Sequence, residues 1–196
     1  MFAANIDRDT LNSLPRIQFT GQIVVAKSEN DLVRWLPILC EEQVIGFDTE
    51  SKPSFKKGKV NGISILQLAN SKLAIIVKVK KIGIPDVLKE FMENAQIVKV
   101  GAAIHDDLKG LIKIRRFNPA GFIDLQRIAP NYGIEELSVR KLSAVVLGFT
   151  VSKRQQLSNW EADELAEAQK LYAATDAWVC REIYLKLISY TPNCKD

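Results

Sequence analysis

The hydrophobic and polar positions of this chain follow two patterns, one typical of strands and one typical of helices. Short apolar runs predict buried strands, whereas apolar residues three and four positions apart predict helices. The predicted strands of the central sheet lie at residues 44–50, 63–68, 74–79, 97–100 and 122–124. Three successive strands, followed by strands that alternate with helices, predict an α/β fold with a mixed sheet flanked by helices.

The segments around these strands carry their own local signals. Apolar triplets at 17–19 and 23–25 flank Gly21 and predict a short hairpin. Ser28, with Asp31 three residues later, resembles a capping box that begins a helix ending near residue 40. The other main helices are predicted at about 85–93, 104–113 and 164–190.

Length and composition fit one globular unit. The chain has 196 residues, 47% of them hydrophobic, which fits a single domain with a sizeable core. We expect this domain at 16–192, after a loosely ordered arm at 1–15. It has no apolar run long enough to cross a membrane and no signal-peptide pattern at its start, so we expect a cytoplasmic protein, or a nuclear one in a eukaryote, that is not secreted. Cys40, Cys180 and Cys194 lack the spacing of a zinc cluster or a disulfide framework.

Two carboxylates close the first predicted central strand. Asp48 and Glu50 are two residues apart, so on a strand they point to the same face. Two like charges this close are costly unless a cation joins them, and Mg²⁺ prefers oxygen ligands. An Asp-x-Glu pair is a weak signal by itself, and both residues could simply be polar positions that end a strand.

Two further acids and a tyrosine strengthen the case for metal chemistry. Asp107 begins a helix directly after another strand, and Asp176 lies one helical turn after Tyr172. In open α/β sheets the functional site lies at the carboxyl ends of strands, where these groups could meet Asp48 and Glu50. Four acids can hold two cations that catalyse phosphodiester hydrolysis, with Asp48 bridging both ions. Glu50 and Asp176 would complete one ion, and Asp107 would hold the other.

Each of these last three residues also has an ordinary structural interpretation. Asp107 could be an acid favoured by the dipole at a helix start. Tyr172 could be a core aromatic residue with a satisfied hydroxyl. Asp176 could be a surface acid in the middle of a helix. If the catalytic interpretation holds, the Tyr172 hydroxyl would orient the attacking water rather than act as a strong base, because its ordinary pKa is about 10.

Basic residues follow the candidate acids in the sequence. The net charge is only +4, but three clusters lie next to an acid or to the helix that carries one. The clusters are Lys52, Lys56, Lys57 and Lys59; Lys109, Lys113, Arg115 and Arg116; and Lys153 with Arg154. Each could be an ordinary solvated loop, but together they suit a nucleic-acid backbone, and Lys57 and Lys153 are the predicted substrate contacts.

At these motifs the chain resembles the DEDDy 3′–5′ exonucleases of the ribonuclease H-like superfamily, which include ribonuclease D and the exonuclease domain of the Werner syndrome helicase. Residues 45–50 resemble the first motif of that family, 99–108 the second with Asp107 as its acid, and 158–160 with 169–177 the third. Leu171 stands where the sister DEDDh group carries a histidine, and Tyr172 fits the tyrosine subclass.

The resemblance implies a five-stranded mixed sheet flanked by helices and two Mg²⁺ or Mn²⁺ ions. It also implies removal of nucleoside 5′-monophosphates from the 3′ ends of DNA or RNA. One departure is Ser51, which stands where the family often has an aromatic residue after the glutamate. Phe55 and Trp160 are therefore candidates for stacking on the terminal base, and both could equally be packing residues.

Two other interpretations stay open. The chain could be a catalytically silent nucleic-acid-binding or scaffold module, although the intact acids argue against this. It could be a generic nucleotide-binding domain, although it lacks both a GxGxxG and a Walker A loop. The sequence does not contain the helical C-terminal modules of ribonuclease D, so we expect a slight preference for DNA over RNA. We expect binding to depend on salt and to tolerate different base sequences.

Overall fold

The fold is a mixed α/β sheet covered by helices on both faces. The computed structural model describes residues 2–54, 58 and 61–190. The strands are β1 (Gln22–Ala26), β2 (Val44–Ser51), β3 (Ile63–Ala69), β4 (Leu73–Val77), β5 (Val98–Gly101) and β6 (Phe122–Asp124). Their order in the sheet is β1-β4-β3-β2-β5-β6, and only β3 runs antiparallel to its neighbours. The expected mixed sheet is therefore confirmed, but it has six strands among the described residues instead of five.

The sixth strand is β1, which the sequence placed in a hairpin. β1 instead pairs in parallel with β4, from Gln22 opposite Leu73 to Ala26 opposite Val77. Residues 17–19 form no strand; the amide of Ile17 donates to the carbonyl of Thr150 at 3.0 Å. The hairpin prediction was wrong because an apolar alternation shows that a strand will be half buried but does not show which partner it will pair with.

The four helices that the sequence pattern predicts are all present, and the described residues contain four more. In chain order the helices are α1 (Arg8–Ser13), α2 (Glu29–Leu39), α3 (Val79–Ile82), α4 (Asp86–Glu93), α5 (Ile104–Ile114), α6 (Leu125–Ile128), α7 (Val139–Leu147) and α8 (Glu167–Ser189). The capping box of α2 is confirmed, since Ser28 and Asp31 exchange hydrogen bonds between side chain and backbone. The segment expected to be a loose arm contains α1, which Asp7 caps and which buries Leu11.

Side-chain alternation on the central strands divides the core between the two faces of the sheet. Phe47 and Leu66 pack in the cluster that also holds apolar residues of α2, α4 and α5. Ile65, next to Leu66 on β3, packs instead with Tyr172 and Ala173 of α8. Neighbouring residues on β3 therefore face different helices. The same alternation on its partner β2 decides which acids can meet.

Helix α8 lies unusually close to β2. A Cβ atom placed on Gly46 would come 1.8 Å from the carbonyl oxygen of Ala177. Ala173, Ala174 and Ala177 are fully buried along the same helix. Because only small residues stand between them, the helix and strand backbones can approach closely. This contact carries Asp176 towards the end of β2. No helix among the described residues is long and apolar enough to cross a membrane.

Candidate metal centre

Three carboxylates from two distant parts of the chain meet at the end of β2. Asp48 and Glu50 come from β2 and Asp176 from α8. Each offers an oxygen, and the three oxygens lie within 4.8 Å of one another. All three side chains are partly buried. Closely grouped carboxylate oxygens that are withdrawn from solvent suit a hard divalent cation such as Mg²⁺ or Mn²⁺.

The electrostatics of the cluster also fit a cation. Burial, together with the negative charges of Asp176 and Asp107, raises the pKa of Glu50 to about 8. Burial and the neighbouring acids also raise the pKa of Asp48 well above its ordinary value. The pKa of Asp176 rises to about 7 through burial, although Tyr172 and Lys153 oppose the rise. A bound cation would remove this repulsion, because an opposite charge favours the ionised form of each acid.

Tyr172 is positioned as a neutral hydrogen-bond donor. Its ring is buried, and its hydroxyl lies close enough to the carboxylate of Asp176, one turn further along α8, for the two groups to interact. Burial and the charge of Asp176 raise the pKa of Tyr172 far above its ordinary value. The hydroxyl therefore keeps its proton at neutral pH and can orient a polar group without acting as a base.

Asp107 lies beside the three-acid cluster and is held by a different partner. Thr49 lies between the two β2 acids and so faces α5, where its hydroxyl donates to Asp107 at 2.5 Å. Asp124 fixes the start of α5 by accepting from the amides of Ala103 and Ile104. The charge of Asp107 still contributes to the raised pKa values of the β2 acids. Sequence reasoning missed Thr49 and Asp124, although the strand alternation could have placed Thr49 on the α5 face.

A small polar cavity of about 260 Å³ opens in front of the cluster. Lys153 lines it, as the basic pattern predicts, and its charge lowers the pKa of Asp176 against the effect of burial. Arg140 and Gln156 also line the cavity, and sequence reasoning did not identify either of them. Arg140 lies on α7, which has no sequence motif of its own, so only the tertiary structure reveals its position.

The other two predicted substrate contacts, Trp160 and Lys57, are not among the described residues that line this cavity. Trp160 is fully buried, with its ring centroid 5.9 Å from that of Tyr172. In this structure Trp160 supports Tyr172 from behind, and no face of its ring is open to a base. Lys57 and the other stacking candidate, Phe55, lie outside the described residues.

Comparison with known proteins identifies the family. The profile of a family described as 3′-5′ exonuclease matches residues 23–190. The chain is 32% identical over 186 residues to the Mus musculus bifunctional 3′-5′ exonuclease/ATP-dependent helicase WRN, covering 90% of this chain and 13% of that protein. It is 30% identical over 200 residues to Homo sapiens exonuclease 3′-5′ domain-containing protein 2, covering 91% of this chain and 32% of that protein.

A solved structure agrees on the fold. The Aedes aegypti Nibbler EXO domain superposes with a TM-score of 0.76 at 24% identity, covering 88% of this chain and 91% of that one. The chain therefore spans about a third or less of the two curated relatives and nearly all of an isolated exonuclease domain. The profile match over residues 23–190 shows that this chain belongs to the 3′-5′ exonuclease family, and the two relatives and the ribonuclease H-like fold agree with it.

Proposed function

We propose that this protein is a metal-dependent 3′–5′ exonuclease of the tyrosine (DEDDy) subclass, which hydrolyses the terminal phosphodiester bond of DNA or RNA. The observation that carries the proposal is the meeting of Asp48, Glu50 and Asp176, whose oxygens lie within 4.8 Å of one another, with the Tyr172 hydroxyl close to Asp176. Membership of the family supports the reaction class, and the intact acids support turnover.

The acids divide into those that can share one ion and one that can hold a second. Asp48, Glu50 and Asp176 would hold the first ion. Asp107 would join Asp48 at the second ion, and its carboxylate would then bind the ion in place of the Thr49 hydroxyl. Divalent ions held by these oxygens would lower the pKa of water and neutralise charge on the phosphoryl group.

The side chains around the acids have proposed roles of their own. The Tyr172 hydroxyl orients the attacking water from its position on Asp176. Lys153 and Arg140 line the same cavity and provide positive charge for the non-bridging phosphate oxygens. Water adds to phosphorus, the bond from phosphorus to the 3′ oxygen breaks, and a proton passes to that oxygen. The products are a nucleoside 5′-monophosphate and a strand with a new 3′ hydroxyl.

A time course on oligonucleotides labelled at the 5′ or the 3′ end tests this function. DNA and RNA are compared in Mg²⁺, in Mn²⁺ and in EDTA. We expect shortening from the 3′ end that requires metal, with DNA cleaved faster than RNA. Asp48→Asn should abolish cleavage, whereas Asp106→Asn, which removes an exposed acid next to Asp107, should leave the rate within about twofold of wild type.

Two results would contradict the proposal. Shortening from the 5′ end or internal cutting would exclude a 3′ exonuclease. Intact substrate in every metal condition, with folded protein that still binds the oligonucleotide, would leave the silent nucleic-acid-binding module as the better description.

A further inference from the structure

A second cavity lies next to Tyr172, and none of the β2 acids lines it. It has a volume of about 270 Å³ and is lined by the side chains of Arg16 and Arg154 together with Gln18 and Leu171. Ser152 and Tyr172 line both this cavity and the one in front of the acids, so the two are neighbours. We define this second cavity as the arginine pocket.

Backbone pairing builds the arginine pocket from two distant segments. The amide of Ile17 donates to the carbonyl of Thr150, and the amide of Thr150 donates to the carbonyl of Pro15 at 2.9 Å. A buried bond from the amide of Phe19 to the Thr175 hydroxyl, 3.1 Å, attaches the same segment to α8. Arg16 is thereby fixed opposite the loop that carries Arg154, so the pocket exists before any ligand arrives.

The charges of the arginine pocket favour an anion. Its lining contains two guanidinium groups and no carboxylate. Within the described residues, neither Arg16 nor Arg154 forms an ion pair, whereas seven lysines do. Guanidinium groups bind phosphate oxygens through paired hydrogen bonds. Two arginines without a partner at one small cavity therefore point to a phosphate ligand.

The neighbouring residues Lys153 and Arg154 serve different cavities. Lys153 faces the acids, and Arg154 faces the arginine pocket. The loop can therefore contact two phosphates at once, one on either side of Tyr172. Arg16 and Gln18 also lie before residue 23, where the match to the family profile begins. One of the two arginines of the pocket is thus supplied by a segment outside the matched region.

We propose that the arginine pocket binds a backbone phosphate of the substrate strand other than the one being hydrolysed. The proposal rests on the proposed function for the identity of the strand. It predicts that strands long enough to reach the pocket bind more tightly than a dinucleotide, which occupies only the acidic cavity. The pocket would then set a preference for strand length without reading base sequence.

Two measurements on the full chain test the proposal. The first is the Kd of a long labelled single-stranded oligonucleotide, measured in EDTA over a range of KCl concentrations. We expect Arg16→Ala/Arg154→Ala to raise this Kd about tenfold or more and to reduce the slope of log Kd against log salt by about 0.7–1.4. The matched control, Arg34→Ala/Arg127→Ala, removes two exposed arginines on α2 and α6 and should change the Kd by less than about twofold.

The second measurement compares KM for the long oligonucleotide and for a dinucleotide in Mg²⁺. The arginine double variant should raise KM for the long substrate and leave kcat and the dinucleotide KM unchanged. Arg16→Lys/Arg154→Lys should recover most of the lost salt slope, because it keeps both charges, and this separates lost charge from misfolding.

Three results would overturn the proposal. Equal weakening by the control variant would show an effect of net charge alone. An equal rise in KM for dinucleotide and long substrate would show that the arginines support the acidic cavity. Weaker inhibition by nucleoside monophosphate, with an unchanged oligonucleotide Kd, would assign the pocket to the released product. Conversely, loss of oligonucleotide binding in a protein that cleaves nothing would support the pocket while the exonuclease proposal fails.

Discussion

At the scale of single residues, the alternation of side chains along β2 decides the chemistry of the candidate centre. Asp48 and Glu50 face α8 and meet Asp176, whereas Thr49 faces α5 and binds Asp107. Side chains of one short strand therefore meet acids on both faces of the sheet. The centre concentrates negative charge that a bound cation would neutralise.

The Tyr172 hydroxyl gives the sharpest test at this scale. We expect Tyr172→Phe to lower kcat by about 100-fold, because a misplaced water loses alignment with the phosphorus atom. KM and folding should change little, because the ring and its packing on Trp160 are retained. Tyr184→Phe, on the same helix, is the control and should retain the kcat of wild type. Steady-state kinetics check the prediction, and an unchanged kcat for Tyr172→Phe would remove Tyr172 from the mechanism.

At the scale of elements, the contact between α8 and β2 holds the centre together. Gly46 admits the carbonyl of Ala177, and the buried alanines of α8 leave room for the strand. The segment before α8 is fixed separately by Lys78, whose buried amino group donates to the carbonyl oxygens of Ala162 and Asp163. The helix that supplies Tyr172 and Asp176 is thus positioned along its length and at its start.

Gly46→Ala tests the close approach of strand and helix. The added methyl group would overlap the carbonyl of Ala177, so we expect the free energy of unfolding to fall by about 1–3 kcal/mol. Activity per folded molecule should fall as well, because Asp176 moves away from Asp48. Gly62→Ala is the control, since a Cβ atom there meets open space. Urea unfolding measures both variants, and equal stability of the two would contradict the packing argument.

Lys78→Met tests how the segment before α8 is held. The substitution fills a similar volume but leaves two carbonyl groups without their donor, which costs about 1–3 kcal/mol. We expect faster amide hydrogen exchange over residues 159–166 and a lower kcat. Lys81→Met, on the exposed side of α3, should leave exchange in that segment unchanged. Unaltered exchange in the Lys78 variant would show that other contacts fix this segment.

At the scale of the whole molecule, the acidic centre opposes the stability of the fold that carries it. The pKa of Glu50 is raised to about 8 and that of Asp176 to about 7, so the folded state binds protons that the unfolded chain has released. Stability falls with pH wherever the folded state binds more protons than the unfolded one. This free energy is fully present at a pH below the unfolded pKa values near 4 and is lost as the pH rises through about 7–8.

The metal-free protein should therefore have a lower Tm at pH 8 than at pH 5, by several degrees. Mg²⁺ or Mn²⁺ should raise the Tm most at pH 8, where the acids are ionised and able to bind. In EDTA, Glu50→Gln should make the Tm depend less on pH. Calorimetry in EDTA and in excess metal checks this. A metal-free Tm that rises from pH 5 to pH 8 would contradict the electrostatic account of the centre.

The features that the sequence alone determined are those set by local periodicity. The capping box of α2, the strands β2 to β6 and the long helix α8 depend mainly on neighbours in sequence, so the pattern predicted them. The same periods of 2 and 3.6 residues put Asp48 and Glu50 on one face and Tyr172 beside Asp176. Backbone geometry sets each of these pairs, and the position of strand ends in α/β sheets, with the family resemblance, joined them to Asp107 as one candidate site.

Contacts between distant segments were decided by the tertiary structure alone. The parallel pairing of β1 with β4 added the sixth strand in place of a hairpin. The packing of α8 buried Trp160, which the sequence left free to stack on a base. Backbone pairing near Thr150 brought Arg16 opposite Arg154. Sequence periodicity gives the face of an element on which a side chain lies, but only three-dimensional packing decides which other segment covers that face.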